Sequence, residues 1–231
     1  MYQPNRPLTE DGYVTASKEH IALSKEAAAE GMVLIKNKNN LLPFTRGTKI
    51  ALFGKGSFDY VKGGGGSGDV TVSYIRNLYD GLKEQGNFLS IYEPLSDFYR
   101  QNVAKQYENG AAPGMTAEPE LSIDLLQGAK AFTDTAIIVI SRFSGEGWDR
   151  SGAEASNEIE TFGSDFTMPK IFGEIFPDGD FYLTKEEKQM IHQVEENFSK
   201  IAVVLNIGGM IDTSWIKKSN QISSALIAWQ G

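Results

Sequence analysis

The chain has 231 residues, 41% of them hydrophobic, enough for one sizeable core or for one domain with an appendage. Twenty-two basic against thirty acidic side chains leave a net charge of -8, which argues against a nucleic-acid-binding surface. There is no cysteine, which excludes disulfides, thiolate metal sites and cysteine nucleophiles, and two histidines are too few for a histidine-rich metal centre.

The first residues, MYQPNRPLTEDG, lack the basic-then-apolar order of a signal peptide, and no apolar run approaches the length of a membrane span. A cytoplasmic location without a membrane partner is therefore expected, unless a leader has been removed. Residues 17 to 37 carry Ile21, Ala28, Met32 and Ile35 near helical spacing around an alanine-rich centre, which predicts a helix. Asn39, Asn40 and Pro43 then stop it. KIALF at 49–53 reads as the first strand, and a helix is expected from about 72 to 85, with Ile75, Leu78, Tyr79 and Leu82 on one face. FLSIYEP at 88–94 reads as a second strand, and 97–108 as either a polar, aromatic helix or a connection. The stretch 109–120, NGAAPGMTAEPE, has two prolines and few apolar residues and looks like a surface excursion.

Leu121 to Phe132 predicts a further helix, followed by the apolar strand IIVIS. Residues 151–180 are long for a loop and too apolar for a linker, so a lid packed on its own domain is the favoured reading. Thr184 and Glu187 form a capping box that opens a helix to Phe198. IAVVLN at 201–206 and SALIAWQ at 224–230 add two more continuous apolar strands. His20 and His192 both fall in predicted helices and read as ordinary surface or half-buried residues. Apolar strands separated by helices imply an α/β fold with a largely parallel sheet covered on both faces.

Two glycine-rich places attract attention. VKGGGGSGDV lacks the Gly-Lys-Ser/Thr ending of a phosphate loop, and Gly54-Lys-Gly56 lacks the third glycine of a dinucleotide fingerprint. The four glycines at 63–66 would still let backbone approach another domain or a sugar, with Asp69 accepting a hydrogen bond from a hydroxyl; a loop with no ligand is the alternative. In TAIIVISRFSGEGWDR an apolar strand hands over directly to Glu146 between Gly145 and Gly147. Ligands bind at the carboxyl ends of strands in open α/β sheets, so Glu146 stands where a catalytic acid would be expected, although a solvated loop glutamate has the same local pattern.

Six segments in order, AAAEGMVLIKNKNNLLPF, KGGGGSGDV, SRFSGEGWDR, GDFYLTKEEKQMI, KIAVVLNIGGMIDTSWI and ALIAWQG, resemble the α/β sandwich domain of glycoside hydrolase family 3 over Ser17 to Gly231. The resemblance implies a mostly parallel, six-stranded-type sheet sandwiched by helices. Five strands can be counted, so the sheet is expected to be incomplete at its C-terminal end, with the edge 225–230 unpaired. It also implies a retaining exo-β-glycosidase, most simply a β-glucosidase acting on β-glucosides or β-linked oligosaccharides, without cofactor or metal.

In that family a TIM barrel supplies an aspartate nucleophile and the sandwich supplies the acid/base glutamate, which by motif is Glu146. Trp148 then reads as a wall of the leaving-group subsite or as a core or interface aromatic, and Asp149 and Arg150 as a pair holding the loop. Residues 1–16 form a leader too short for a barrel, so the barrel is expected as a partner domain or chain in a sandwich-first order. A β-xylosidase or related exo-glycosidase, or a non-catalytic carbohydrate-binding or assembly domain of the same fold, are the alternatives.

Overall fold

Odd and even positions along the apolar runs must serve opposite faces of a sheet, and the computed structural model divides them in that way. It describes residues 8–9, 12–13, 17–62, 74–112, 114–145 and 171–230. The chain falls into two compact units, Met1–Met32 and Val33–Gly231. In the first, strands β1 (Leu8–Thr9) and β2 (Gly12–Tyr13) pair antiparallel. Helix α1 (Lys18–Gly31) follows, capped by the Ser17 hydroxyl, which accepts from the His20 amide.

The second unit contains, in chain order, β3 (Val33–Asn37), β4 (Thr48–Phe53), α2 (Leu78–Glu84), β5 (Leu89–Ile91), α3 (Glu93–Glu108), α4 (Ile123–Phe132), β6 (Thr135–Arg142), α5 (Ile171–Ile175), α6 (Lys185–Asn197), β7 (Lys200–Ile207), α7 (Ser214–Lys218) and β8 (Ile222–Ile227). Six strands lie in the order β3-β8-β7-β6-β4-β5. All neighbours are parallel except β3 and β8. Every residue of β6 is buried, as a central parallel strand requires.

Ala51, Phe53, Ala136, Ile138 and Ile140 face one layer with side chains from α3, α4, α6 and α7. Ile50, Leu52, Ile137 and Val139 face the other, against Leu41, Phe44 and the α2 residues Leu78, Tyr79 and Leu82. The period-two alternation of apolar side chains thus places helices or apolar segments on both faces. Among the described residues no helix is long and apolar enough to cross a membrane.

Two expectations are corrected here. The helix expected over 17–37 ends at Gly31, and 33–37 turns into β3, which supplies the sixth strand of the sheet. Gly31 disfavours helix, and Val33 and Ile35 are β-branched; pairing with β8, nearly 200 residues away, completes the switch. Of the edge expected to be unpaired at 225–230, residues 225–227 are accordingly covered, with Val33 opposite Ile227, Leu34 opposite Leu226 and Lys36 opposite Ala225. The ambiguous stretch 97–108 belongs to α3, whose Pro94 stands in the first turn, where proline is tolerated. The capping box is present, with Thr184 and Glu187 bonding each other's amides at 3.1 and 2.9 Å.

Gly54 ends β4 with φ of 95° and touches β6 so closely that a Cβ there would lie 2.3 Å from the Val139 carbonyl oxygen. Backbone conformation and space both demand glycine. Gly54→Ala should therefore lower the unfolding free energy by more than about 2 kcal/mol in urea titrations. Gly81→Ala, on α2 with nothing within 4 Å of the new methyl, should raise it by roughly 0.5–1 kcal/mol.

Candidate active site at the carboxyl edge of the sheet

The carboxyl ends of β4, β6 and β7 lie side by side, and buried polar side chains from these ends and from the segments joined to them by hydrogen bonds gather there. At the end of β6, Arg142 is 1% exposed. Its Nε donates to the Asp180 carbonyl and Nη1 to the Ser141 carbonyl, both at 2.8 Å, and Nη2 to the Tyr182 carbonyl at 3.1 Å. Nη1 and Nη2 also each donate at 2.7 Å to one oxygen of Glu187, and the guanidinium lies 4.8 Å from the Phe176 ring centre. Burial pushes the Glu187 carboxyl up, but the Arg142 charge and hydrogen bonds outweigh it and hold the carboxyl below its ordinary range.

Beyond β4, the 3-10 turn Lys55–Ser57 is wholly buried. Lys55 Nζ lies 3.0 Å from Asp59 Oδ2 and donates to the Gly114 carbonyl at 3.0 Å. Asp59 also accepts from the Tyr107 hydroxyl, the Gly114 amide and the Thr116 hydroxyl. Burial pushes the Asp59 carboxyl up, while Lys55 and these donors win and hold it low.

Glu118 lies beside them, 6% exposed. Its Oε2 accepts from the Lys55 amide at 2.8 Å. Oε1 has no hydrogen-bond partner, and the buried Tyr99 hydroxyl, although close enough to influence it, does not meet hydrogen-bond geometry. Burial pushes Glu118 up to about 7, helped by the Glu187 charge and opposed by the Lys55 amide. Lys55, Thr116, Glu118, Phe176, Thr184 and Glu187 line part of a pocket of about 380 Å³.

The segment expected to be a surface excursion is therefore partly interior: Met115, Thr116 and Glu118 are all buried. Its polar backbone is satisfied by side chains, as when the Gln106 amide donates to the Ala117 carbonyl at 3.0 Å and accepts from its amide at 2.8 Å. Of the expected lid, 171–175 forms α5, and Phe176 is buried against Met115; 151–170 lies outside the described residues.

Glu146, Trp148, Asp149, Arg150 and Asp69 also lie outside the described residues. What is described is where their loops leave the sheet. Ser144, two residues before Glu146, is held by the side chain of Gln230, and Val61, just before the glycine run, by that of Asn206. His192 is exposed on α6, 3.4 Å from Glu196. Among the described residues no group of three histidine, aspartate or glutamate side chains is placed to hold a metal.

Sequence reasoning missed Lys55, Asp59, Glu118, Asn206 and Gln230. Only Lys55 and Asp59 left a trace, a four-residue spacing that also suits an exposed helical pair.

An open, mostly parallel sheet with helices on both faces and polar groups gathered at its carboxyl edge defines an α/β sandwich domain. The family model of the glycosyl hydrolase family 3 C-terminal domain matches residues 32–231, and the chain belongs to that family. It is 58% identical to β-glucosidase A of Butyrivibrio fibrisolvens over 231 residues, all of this chain and 28% of that protein. With a β-glucosidase of Ruminococcus albus it shares 31% identity, covering 92% of this chain and 20% of the relative. Among solved structures, β-glucosidase 3B of Thermotoga neapolitana in complex with α-D-glucose superposes with a TM-score of 0.69 at 32% identity, over 92% of this chain and 27% of that one. The chain thus spans less than a third of the length of the relatives it matches.

A carboxyl raised by burial favours the folded state while it is protonated, so its contribution is full below the unfolded pKa and is lost as pH rises toward about 7. Glu118 should make the unfolding free energy fall by on the order of 3 kcal/mol between pH 5 and 8. In Glu118→Gln that decline should be largely gone when urea midpoints are compared across the same range.

Proposed function

We propose that this chain is the acid/base-bearing domain of a retaining β-glucosidase, with Glu146 as the general acid and base and a barrel domain or chain as the source of the nucleophile. The observation that carries the reading is the SGEG segment, with Glu146 one residue past the last described position after the buried central strand β6. The β-glucosidase relatives support the substrate class. The lengths of those relatives leave room for the further domain that the reading requires.

In the first step the Glu146 carboxyl protonates the glycosidic oxygen while the barrel carboxylate attacks the anomeric carbon. The alcohol leaves and a glycosyl ester forms. In the second step the Glu146 carboxylate takes a proton from water, whose oxygen displaces the ester. β-Glucose is released, and both carboxyls return to their starting states. Two carboxyls in such a site stand about 5 to 5.5 Å apart, a separation that loops from two packed domains can set. Trp148 and Asp69 would border the sugar, and Asp149 with Arg150 would hold the loop.

Two outcomes follow. Purified residues 1–231 alone should release no aglycone from an aryl β-glucoside, because one carboxyl cannot be both nucleophile and acid; steady turnover by the isolated chain would refute the shared site. In the assembled enzyme, Glu146→Gln should lose hydrolysis of poor leaving groups by 10²-fold or more, on the order expected for general acid catalysis. Dinitrophenyl glucoside should still glycosylate the enzyme, and added azide should restore its turnover as β-glucosyl azide. Equal loss on all substrates without azide rescue would remove Glu146 from the acid/base role.

A further inference from the structure

Past its last ladder residue a strand end is free to move, and here two side-chain amides take over where the backbone ladder stops. Gln230 Oε1 accepts from the Ser144 amide at 2.8 Å, and Gln230 Nε2 donates to the Ser144 carbonyl at 2.6 Å. One side chain thereby forms both hydrogen bonds that a neighbouring strand would have formed with that residue.

Gln230 is itself held. Asn206, fully buried on β7, donates to the Trp229 carbonyl at 2.7 Å and to the Val61 carbonyl at 3.0 Å, and accepts from the Val61 amide at 2.7 Å. Gly208 completes the arrangement. Its amide donates to the Arg142 carbonyl at 3.1 Å, and a Cβ there would lie 2.3 Å from Gln230 Oε1 and 2.7 Å from Ser144 Cβ. The absence of a side chain at 208 is what leaves room for the clasp.

We propose that Gln230 is a positioning residue for the acid/base step: its clasp fixes the Ser144 backbone, beside the bridged Gly145, from which the chain continues to Glu146. This rests on the reading of Glu146 above. Ser144 is two residues from Glu146 in the chain, and a misplacement of a catalytic group by about 1 Å can cost 10²-fold in rate. Asn206 links the same clasp to Val61 and so to the start of the glycine run. Val61 and Ser144, the described residues nearest in the chain to Asp69 and Glu146, are thereby held by one pair of side-chain amides.

The test uses the assembled enzyme and the ratio of kcat/KM for a poor leaving group, phenyl β-glucoside, to that for dinitrophenyl β-glucoside. Gln230→Ala should lower this ratio at least tenfold, with the urea midpoint recorded alongside. Gly208→Ala leaves Gln230 in the chain but crowds the clasp from the other side: its methyl would meet both the Gln230 tip and the Ser144 Cβ, so it should lower the ratio by displacing the clasp, with its urea midpoint recorded in the same way. Gln230→Glu, which keeps the acceptor for the Ser144 amide and loses the donor, should fall between wild type and Gln230→Ala.

Glu146→Gln is measured in the same assay. If it lowers the ratio while Gln230→Ala and Gly208→Ala leave it unchanged, the positioning role is overturned and the acid/base reading stands. If Glu146→Gln leaves the ratio unchanged, the acid/base reading fails and the positioning role fails with it. A lower urea midpoint with an unchanged ratio in the Gln230 variants would mark the clasp as structural only and would overturn the proposal.

Discussion

A guanidinium taken wholly out of water is tolerated only when its charge is balanced and its donors are occupied. At Arg142 both conditions are met: all five N–H groups have acceptors, two on Glu187 and three on carbonyls. The pair does more than satisfy itself. Arg142 ends the central strand, while Asp180, Tyr182 and Glu187 belong to the approach and first turn of α6, so a single side chain fixes both ends of the long connection between β6 and α6. Glu187 has a second task as the reciprocal partner of the Thr184 amide. The helix cap and the ion pair therefore share one carboxylate, and loss of either partner would disturb both.

Around this pair the interior of the carboxyl edge is polar where the rest of the core is apolar. Lys55 and Asp59 neutralise each other within a set of donors, whereas Glu118 has one oxygen satisfied and the other bare. The contrast in protonation follows. Asp59 and Glu187 hold their charge because burial is outweighed by a cation, and their stabilisation is lost on acidification. Glu118 has no such partner and is driven toward the neutral acid, so its stabilisation is lost on going alkaline. Opposed dependences at neighbouring carboxyls confine the best stability of this edge to mildly acidic conditions.

Side-chain amides recur at this edge in one geometric role. Gln106 on Ala117, Gln230 on Ser144 and Asn206 on Val61 each use one donor and one acceptor to imitate a backbone neighbour. Each holds a segment that has left regular secondary structure, and at Val61 the groups so held are buried and cannot be left bare. Irregular chain can thus pass through or border the interior beside the strands, as 115–118 does, although its composition alone resembles a solvated loop.

The central strands were legible in the sequence because continuous apolar runs such as 136–140 and 201–205 have no other stable home. The Thr184 box was legible because capping depends on residues three apart. The family was legible from ordered local segments, and Glu146 was singled out because a strand handing over to a glycine-flanked carboxylate is a short-range pattern. Nothing short-range could show that 33–37 leaves the preceding helix to pair with 224–227, or that Met115, Thr116 and Glu118 are buried. Nor could it pair Arg142 with Glu187 across 45 residues, or Gln230 with Ser144 across 86. Those contacts are decided by which elements the folded sheet brings side by side. A buried charge or amide finds its partner only through that arrangement, and its residue type in the sequence is the same whether it ends in solvent or in the core.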